Sequence, residues 1–108
     1  MMVTIDERRA LVTLVNVFTV VPEKADDLVT LLNEATEGVM RYMPGFISAS
    51  IHKSLDGSRV INYAQWQTKE DFEAMRANPQ AGPHMKAAAD LAESFEPTLC
   101  QVVAVHAA

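Results

Sequence analysis

The sequence predicts an α+β fold, a single antiparallel sheet with its helices on one face. Three observations lead there. β-Branched stretches recur at residues 10–20, 46–54 and 59–67, apolar residues at helical spacing follow residues 22 and 68, and an Asp56-Gly57 pair joins two of the extended stretches as a hairpin turn would.

In the first strand, Ala10 to Val20, alternation puts Val12, Leu14, Asn16 and Phe18 on one face and Leu11, Thr13, Val15, Val17 and Thr19 on the other. Pro22 suits a first helical turn, Glu23, Asp26 and Asp27 favour its positive end, and Ala25, Leu28, Leu32, Ala35 and Val39 keep the helical period until Tyr42, before Pro44-Gly45. Phe46 to Ser54 and Arg59 to Gln67 form the hairpin, with Asn62, Ala64 and Trp66 sharing one face. Thr68 caps a second helix with Glu70 and Asp71 in its first turn and Phe72 and Met75 on its inner stripe. Asn78-Pro79 and Gly82-Pro83 interrupt it, a further helix is expected from His84 to Ser94, and Thr98 to Val105 closes the chain as the last strand. This order is the ferredoxin-like split β-α-β arrangement. The sheet face away from the helices carries Leu11, Val15, Val17, Ile61 and Tyr63, too apolar for water, so a homodimer packed sheet against sheet into an α+β barrel is expected.

At 108 residues with 49% apolar content, the chain is expected to make one domain over residues 10–108 behind a flexible N-terminus, residues 1–9. A chain of this length buries roughly 65% of its unfolded surface. Nine basic against fourteen acidic residues give a net charge of −5 with only Arg8-Arg9 as a basic pair, which argues against nucleic acid as a partner. Cys100 is the only cysteine and can close neither an intrachain disulfide nor a zinc or iron–sulfur site. The run LVTLVNVFTVV is too short and too polar to span a bilayer. A soluble cytoplasmic protein without a membrane partner is the expectation.

No nucleotide-loop, zinc-protease or CxxC signature is present, and His52, His84 and His106 are too scattered to argue for a metal, so neither cofactor nor metal is expected. What remains is the face shared by Asn16, Asn62 and Trp66. If the first and third strands are neighbours, two amides and an indole N–H converge between sheet and helices, walled by Phe18, Phe72 and Met75. A packed core needs none of these polar groups, whereas a pocket for an oxygen-bearing aromatic ligand needs a few. His52 faces the dimer side if the hairpin loop has two or four residues, and the pocket if it has three with a bulge. His84 opens a helix after a Gly-Pro break.

The stretch NYAQW, the capped TKEDFEAM helix start that follows it, and Asn16 on the first strand together resemble the antibiotic biosynthesis monooxygenase family. The resemblance is closest to the cofactor-independent branch that oxidises anthrone-type aromatic polyketides to quinones with O₂. It implies Asn16, Asn62 and Trp66 as catalytic residues; beside them, Phe18, His52, Phe72, Met75 and His84 are the substrate contacts expected from their places around that face. Phe72 stands where some related enzymes carry a tyrosine, and Lys86 where they carry an arginine. The proton acceptor is left open between water, His52, His84 and the substrate's own phenolate. Two other functions remain in view. A haem-degrading branch of the same superfamily also uses a first-strand asparagine and a helix histidine, here Asn16 and His84, but this chain has Met75 in place of that branch's tryptophan. The same fold also serves as a non-enzymatic dimeric ligand-binding module.

Overall fold

A computed structural model describes residues 2–108; Met1, the first residue of the expected flexible N-terminus, lies outside them. Strands β1 (Val12–Thr19), β2 (Phe46–Lys53), β3 (Arg59–Trp66) and β4 (Ser94–Cys100) form one sheet in the order β2-β3-β1-β4, with every neighbouring pair antiparallel. Helix α1 (Pro22–Gly38) connects β1 to β2, while α2 (Lys69–Ala77) and α3 (Gly82–Leu91) connect β3 to β4. This is the expected ferredoxin-like arrangement. No helix among the described residues is long and apolar enough to cross a membrane.

The local signals explain most of the element boundaries. Pro22 opens α1, and Ala25, Leu28 and Ala35 are its buried residues. The helix ends at Gly38, before the expected Tyr42, because the chain tightens into a 3₁₀ turn over Met40–Tyr42. Thr68 caps α2 by accepting the Asp71 N–H at 3.0 Å, and Phe72 and Met75 are buried as their spacing predicts.

The last helix and the last strand also differ from expectation. Gly82-Pro83 does not interrupt a helix but starts one, since proline fits the first turn where its missing N–H has no intrahelical partner; α3 then stops at Leu91 and not at Ser94. The last strand correspondingly runs from Ser94 to Cys100, and residues 101–108 carry no regular structure. Ala92 is already extended, and the Glu93 N–H donates to the Thr19 carbonyl at 2.8 Å, drawing the chain into the sheet at once. Pro97, opposite Asn16, is tolerated because β4 is an edge strand with a partner on one side only.

On the sheet face away from the helices, Thr13, Ser48 and Gln65 are buried, and the Ser48 hydroxyl donates to Gln65 Oε1 at 2.7 Å. The Gln65 amide donates to the carbonyl of Thr4 at 2.8 Å, so the segment before β1 crosses this end of the face.

The hairpin has a four-residue loop, 55–58, with Gly57 in the left-handed region at φ 76° and Ser54 pairing with Arg59 through a 2.9 Å backbone bond. Asp56 organises it. Its Oδ1 accepts the Ser58 N–H, the Ser58 hydroxyl and the Ser54 hydroxyl, which lowers its pKa from 3.8 to about 2. A carboxyl depressed on folding stabilises the fold above its unfolded value, and that stabilisation is lost as pH falls through the folded one. Asp56→Ala should therefore lower the melting temperature at neutral pH and flatten its decline between about pH 4 and pH 2; thermal scans of both proteins across that range check this.

Candidate active site

The β1–β3 register builds the centre of the site. On the face toward the helices, Leu14 lies opposite Ala64, Asn16 opposite Asn62, and Phe18 opposite Val60. The flanking apolar pairs belong to different clusters. Leu14 and Ala64 pack with Met43, Trp66, Phe72, Met75 and Ala81, whereas Phe18 and Val60 pack with Val20, Ala25, Leu28 and Ala88. The asparagine pair thus stands where one core ends and the other begins.

Trp66, 2% exposed, is held between two rings. Phe46 meets it at 5.5 Å with planes at 90°, and Phe72 at 6.2 Å with planes at 70°, both edge-to-face arrangements of the kind aromatic quadrupoles favour. Phe46 owes its place to a β-bulge. Ser48 pairs with Gln65, and the register then shifts so that Phe46, two residues back, pairs with Trp66. Without the surplus residue, Ile47 would face the indole.

Between sheet and helices lies a cavity of about 420 Å³, within the range of small-molecule sites. Asn16, Asn62 and Trp66 line it together with Phe18, Phe46, Phe72, Met40, Met75 and Met85. Asn16 Oδ1, Asn62 Oδ1 and Trp66 Nε1 are buried without a hydrogen-bond partner among the described residues. All three belong to cavity-lining residues. An unpaired buried polar atom costs about 1–3 kcal/mol, so a core selected for stability alone would not gather three around one void. The set offers an indole N–H to donate and amides that donate and accept, within walls that are mostly apolar and also include Arg76, His84 and Lys86.

Of the residues proposed from sequence, Asn16, Asn62, Trp66, Phe18, Phe72, Met75 and His84 all line this cavity, with His84 half-buried at the start of α3. His52 does not. The four-residue hairpin loop pairs it with Ile61, so its side chain is exposed on the opposite face of the sheet, while Ile51 takes the place opposite Asn62. Sequence reading missed Leu32 and Thr36 of α1, Arg76 of α2, and Phe95 and Pro97 of β4. The α1 pair carries the helical period and could have been found from it. The β4 residues could not, once the strand had been placed four residues late.

An α+β sheet domain that keeps three unpaired polar atoms around an apolar cavity is a small-molecule site on a ferredoxin-like scaffold. Comparison with known proteins sharpens this. The model of the antibiotic biosynthesis monooxygenase family matches residues 11–91. Tetracenomycin-F1 monooxygenase of Streptomyces glaucescens is 46% identical over 101 residues, spanning 94% of this chain and 89% of that protein. Among solved structures, the monooxygenase from the gene ActVA-Orf6 of Streptomyces coelicolor, in complex with nanaomycin D, aligns with a TM-score of 0.80 at 26% identity over 95% of this chain and 96% of that one. SnoaB, a cofactor-independent oxygenase from Streptomyces nogalater, aligns with a TM-score of 0.72 at 24% identity over 88% of this chain and 95% of that one. The chain belongs to the antibiotic biosynthesis monooxygenase family. It is a monooxygenase, an oxidoreductase that uses O₂.

Buried polar groups without a partner carry a stability cost that mutation can reveal. Asn62→Leu, which fills similar volume without an orphan acceptor, should leave the melting temperature unchanged or raise stability by up to about 1 kcal/mol. Thermal unfolding of the two proteins tests this, and a clear loss of stability would mean that the amide holds the sheet together.

Proposed function

We propose that the protein is a cofactor-independent monooxygenase that oxidises an anthrone- or hydroquinone-type aromatic of polyketide character to a quinone. The observation that carries this reading is the convergence of the orphan Asn16, Asn62 and Trp66 atoms on one apolar cavity. Its relatives point the same way: one acts on tetracenomycin F1 by its name, and another was solved with nanaomycin D bound.

The chemistry asks little of the protein beyond positioning and electrostatics. An anthrone has an acidic benzylic C–H, and its removal leaves a carbanion delocalised into the ring carbonyl as an enolate. That anion passes one electron to O₂, the radical pair joins as a peroxide, and loss of water leaves a second carbonyl. One oxygen atom of O₂ ends in the quinone and the other in water. Donors fixed at the enolate oxygen in a water-poor cavity favour the first step, because they need not reorganise as charge develops.

In this reading the Asn16 and Asn62 amides hold the substrate's carbonyl and phenolic oxygens, and Trp66 donates its N–H to the enolate or peroxide oxygen. Phe18, Phe72 and Met75 sandwich the rings. With His52 on the far face, His84 is the imidazole on the cavity wall among the described residues, and we assign it the benzylic proton. The enzyme acts as a cytoplasmic homodimer joined through the outer sheet face. Half-buried Val15, Val17, Ile61 and Tyr63 on that face, with Val103 and Val105 exposed beyond β4, support that assembly.

Oxygen uptake by purified, metal-free protein with dithranol tests the activity. Uptake above the uncatalysed rate with quinone formation is expected, and none would leave a binding module. Trp66→Phe keeps the ring and removes the donor, so kcat should fall with little change in KM, by about 1–3 kcal/mol in transition-state stabilisation. Wild-type turnover in that variant would remove the indole N–H from the mechanism. His84→Gln should lower kcat with little change in KM, and wild-type turnover in that variant would remove the imidazole from the mechanism.

A further inference from the structure

The charge on the cavity wall is one-sided. Its ionisable side chains are Arg76, His84 and Lys86, and among the described residues no aspartate or glutamate lines it. The whole chain has the opposite bias, fourteen acidic residues against nine basic. A wall drawn at random from such a surface would carry acids; this one carries none.

The two permanently charged members sit at the mouth. The Arg76 side chain is 54% exposed and that of Lys86 77%, yet both reach the cavity. Arg76 is tied to the interior through a line of rings. Its guanidinium lies 5.8 Å from the centre of Phe72, whose ring in turn lies 6.2 Å from that of Trp66. A fused aromatic ligand with its oxygens at the sheet donors would extend past Phe72 and end at this guanidinium. Each cation has one acidic neighbour on its own helix, and both pairs are exposed. Arg76 meets Glu73 only at 3.6 Å, and Lys86 meets Asp90 at 2.9 Å between side chains that are both largely exposed. Such surface pairs hold little energy and yield to a better-placed anion. Arginine in particular matches a carboxylate with two parallel N–H bonds.

We propose that Arg76 and Lys86 form an anion-reading rim that selects aromatic substrates carrying a carboxylate on the ring remote from the reacting carbon. The proposal rests on the cavity being the aromatic substrate site. It adds that the natural substrate is a carboxylic acid, and that this selectivity is set by side chains of α2 and α3.

Binding can be measured apart from turnover, because Trp66 is the only tryptophan and lines the cavity. Quenching of its emission by anthraquinone-2-carboxylate and by the neutral anthraquinone-2-carboxamide compares two ligands of one shape. Wild-type protein is expected to bind the acid about tenfold tighter at low salt, a preference that shrinks as salt is added. In Arg76→Gln/Lys86→Gln the acid should weaken to within about twofold of the amide, with amide binding unchanged. Both positions are exposed, so the double variant should fold, and its circular dichroism spectrum confirms this before titration. Equal binding of acid and amide by wild type overturns the rim while leaving the aromatic site in place, as does a preference that survives the double variant. Quenching by neither ligand overturns the aromatic site and the rim together.

Discussion

Everything at the centre of this molecule depends on the antiparallel register of β1 against β3. Because strand side chains alternate, that register places Asn16 and Asn62 side by side on the helix-facing side, with Trp66 farther along the same face. Sheet hydrogen bonds fix the backbone beneath these groups, so their positions do not depend on what the cavity contains. The same pairing divides the apolar interior in two. One cluster gathers around Trp66 and the other around Leu28, and the space between them is left for a ligand.

This division separates two tasks that a small domain finds hard to combine. Rigidity comes from the sheet and from the edge-to-face packing of Phe46, Trp66 and Phe72. Adaptability comes from the helices, which present Met40, Met75 and Met85 to the cavity, unbranched side chains that reshape readily. The buried amides and the indole N–H therefore sit on the stiff side, where orientation matters, while the compliant methionines share the helix side with Arg76, His84 and Lys86. The arrangement suits an enzyme whose substrate carries most of the reactivity itself, since little more is required than a fixed set of donors and a dry, yielding wall.

Much of this was legible in the sequence because its strongest signals have a single period. Alternation along residues 12–18 and 60–66 assigns the inner face, and Thr68 with Glu70 and Asp71 marks a helix start that the structure reproduces. The last strand was harder to read. Its residues, SFEPTLC, include a proline and a glutamate, and only its position at the sheet edge, a property of the assembled fold, makes them acceptable. His52 turned on the length of a loop, which the Asp56-Gly57 pair signals without counting. Nor does periodicity put Arg76 of α2 on the cavity wall, since that follows from how the helix lies across the sheet.

The bulge on β2 shows how the sheet keeps count. A strand assigns its residues to faces by odd and even number, so one added residue within residues 60–66 would exchange Asn62 and Trp66 for their neighbours and turn these cavity-lining groups outward. On the edge strand, the surplus residue Ile47 takes up the odd number locally, and pairing on either side of it stays in step. Changes of length are thus absorbable at the edge, but forbidden in the two central strands. Among descendants of this chain, the outer parts of the sheet are free to drift in length while its middle must be inherited residue for residue.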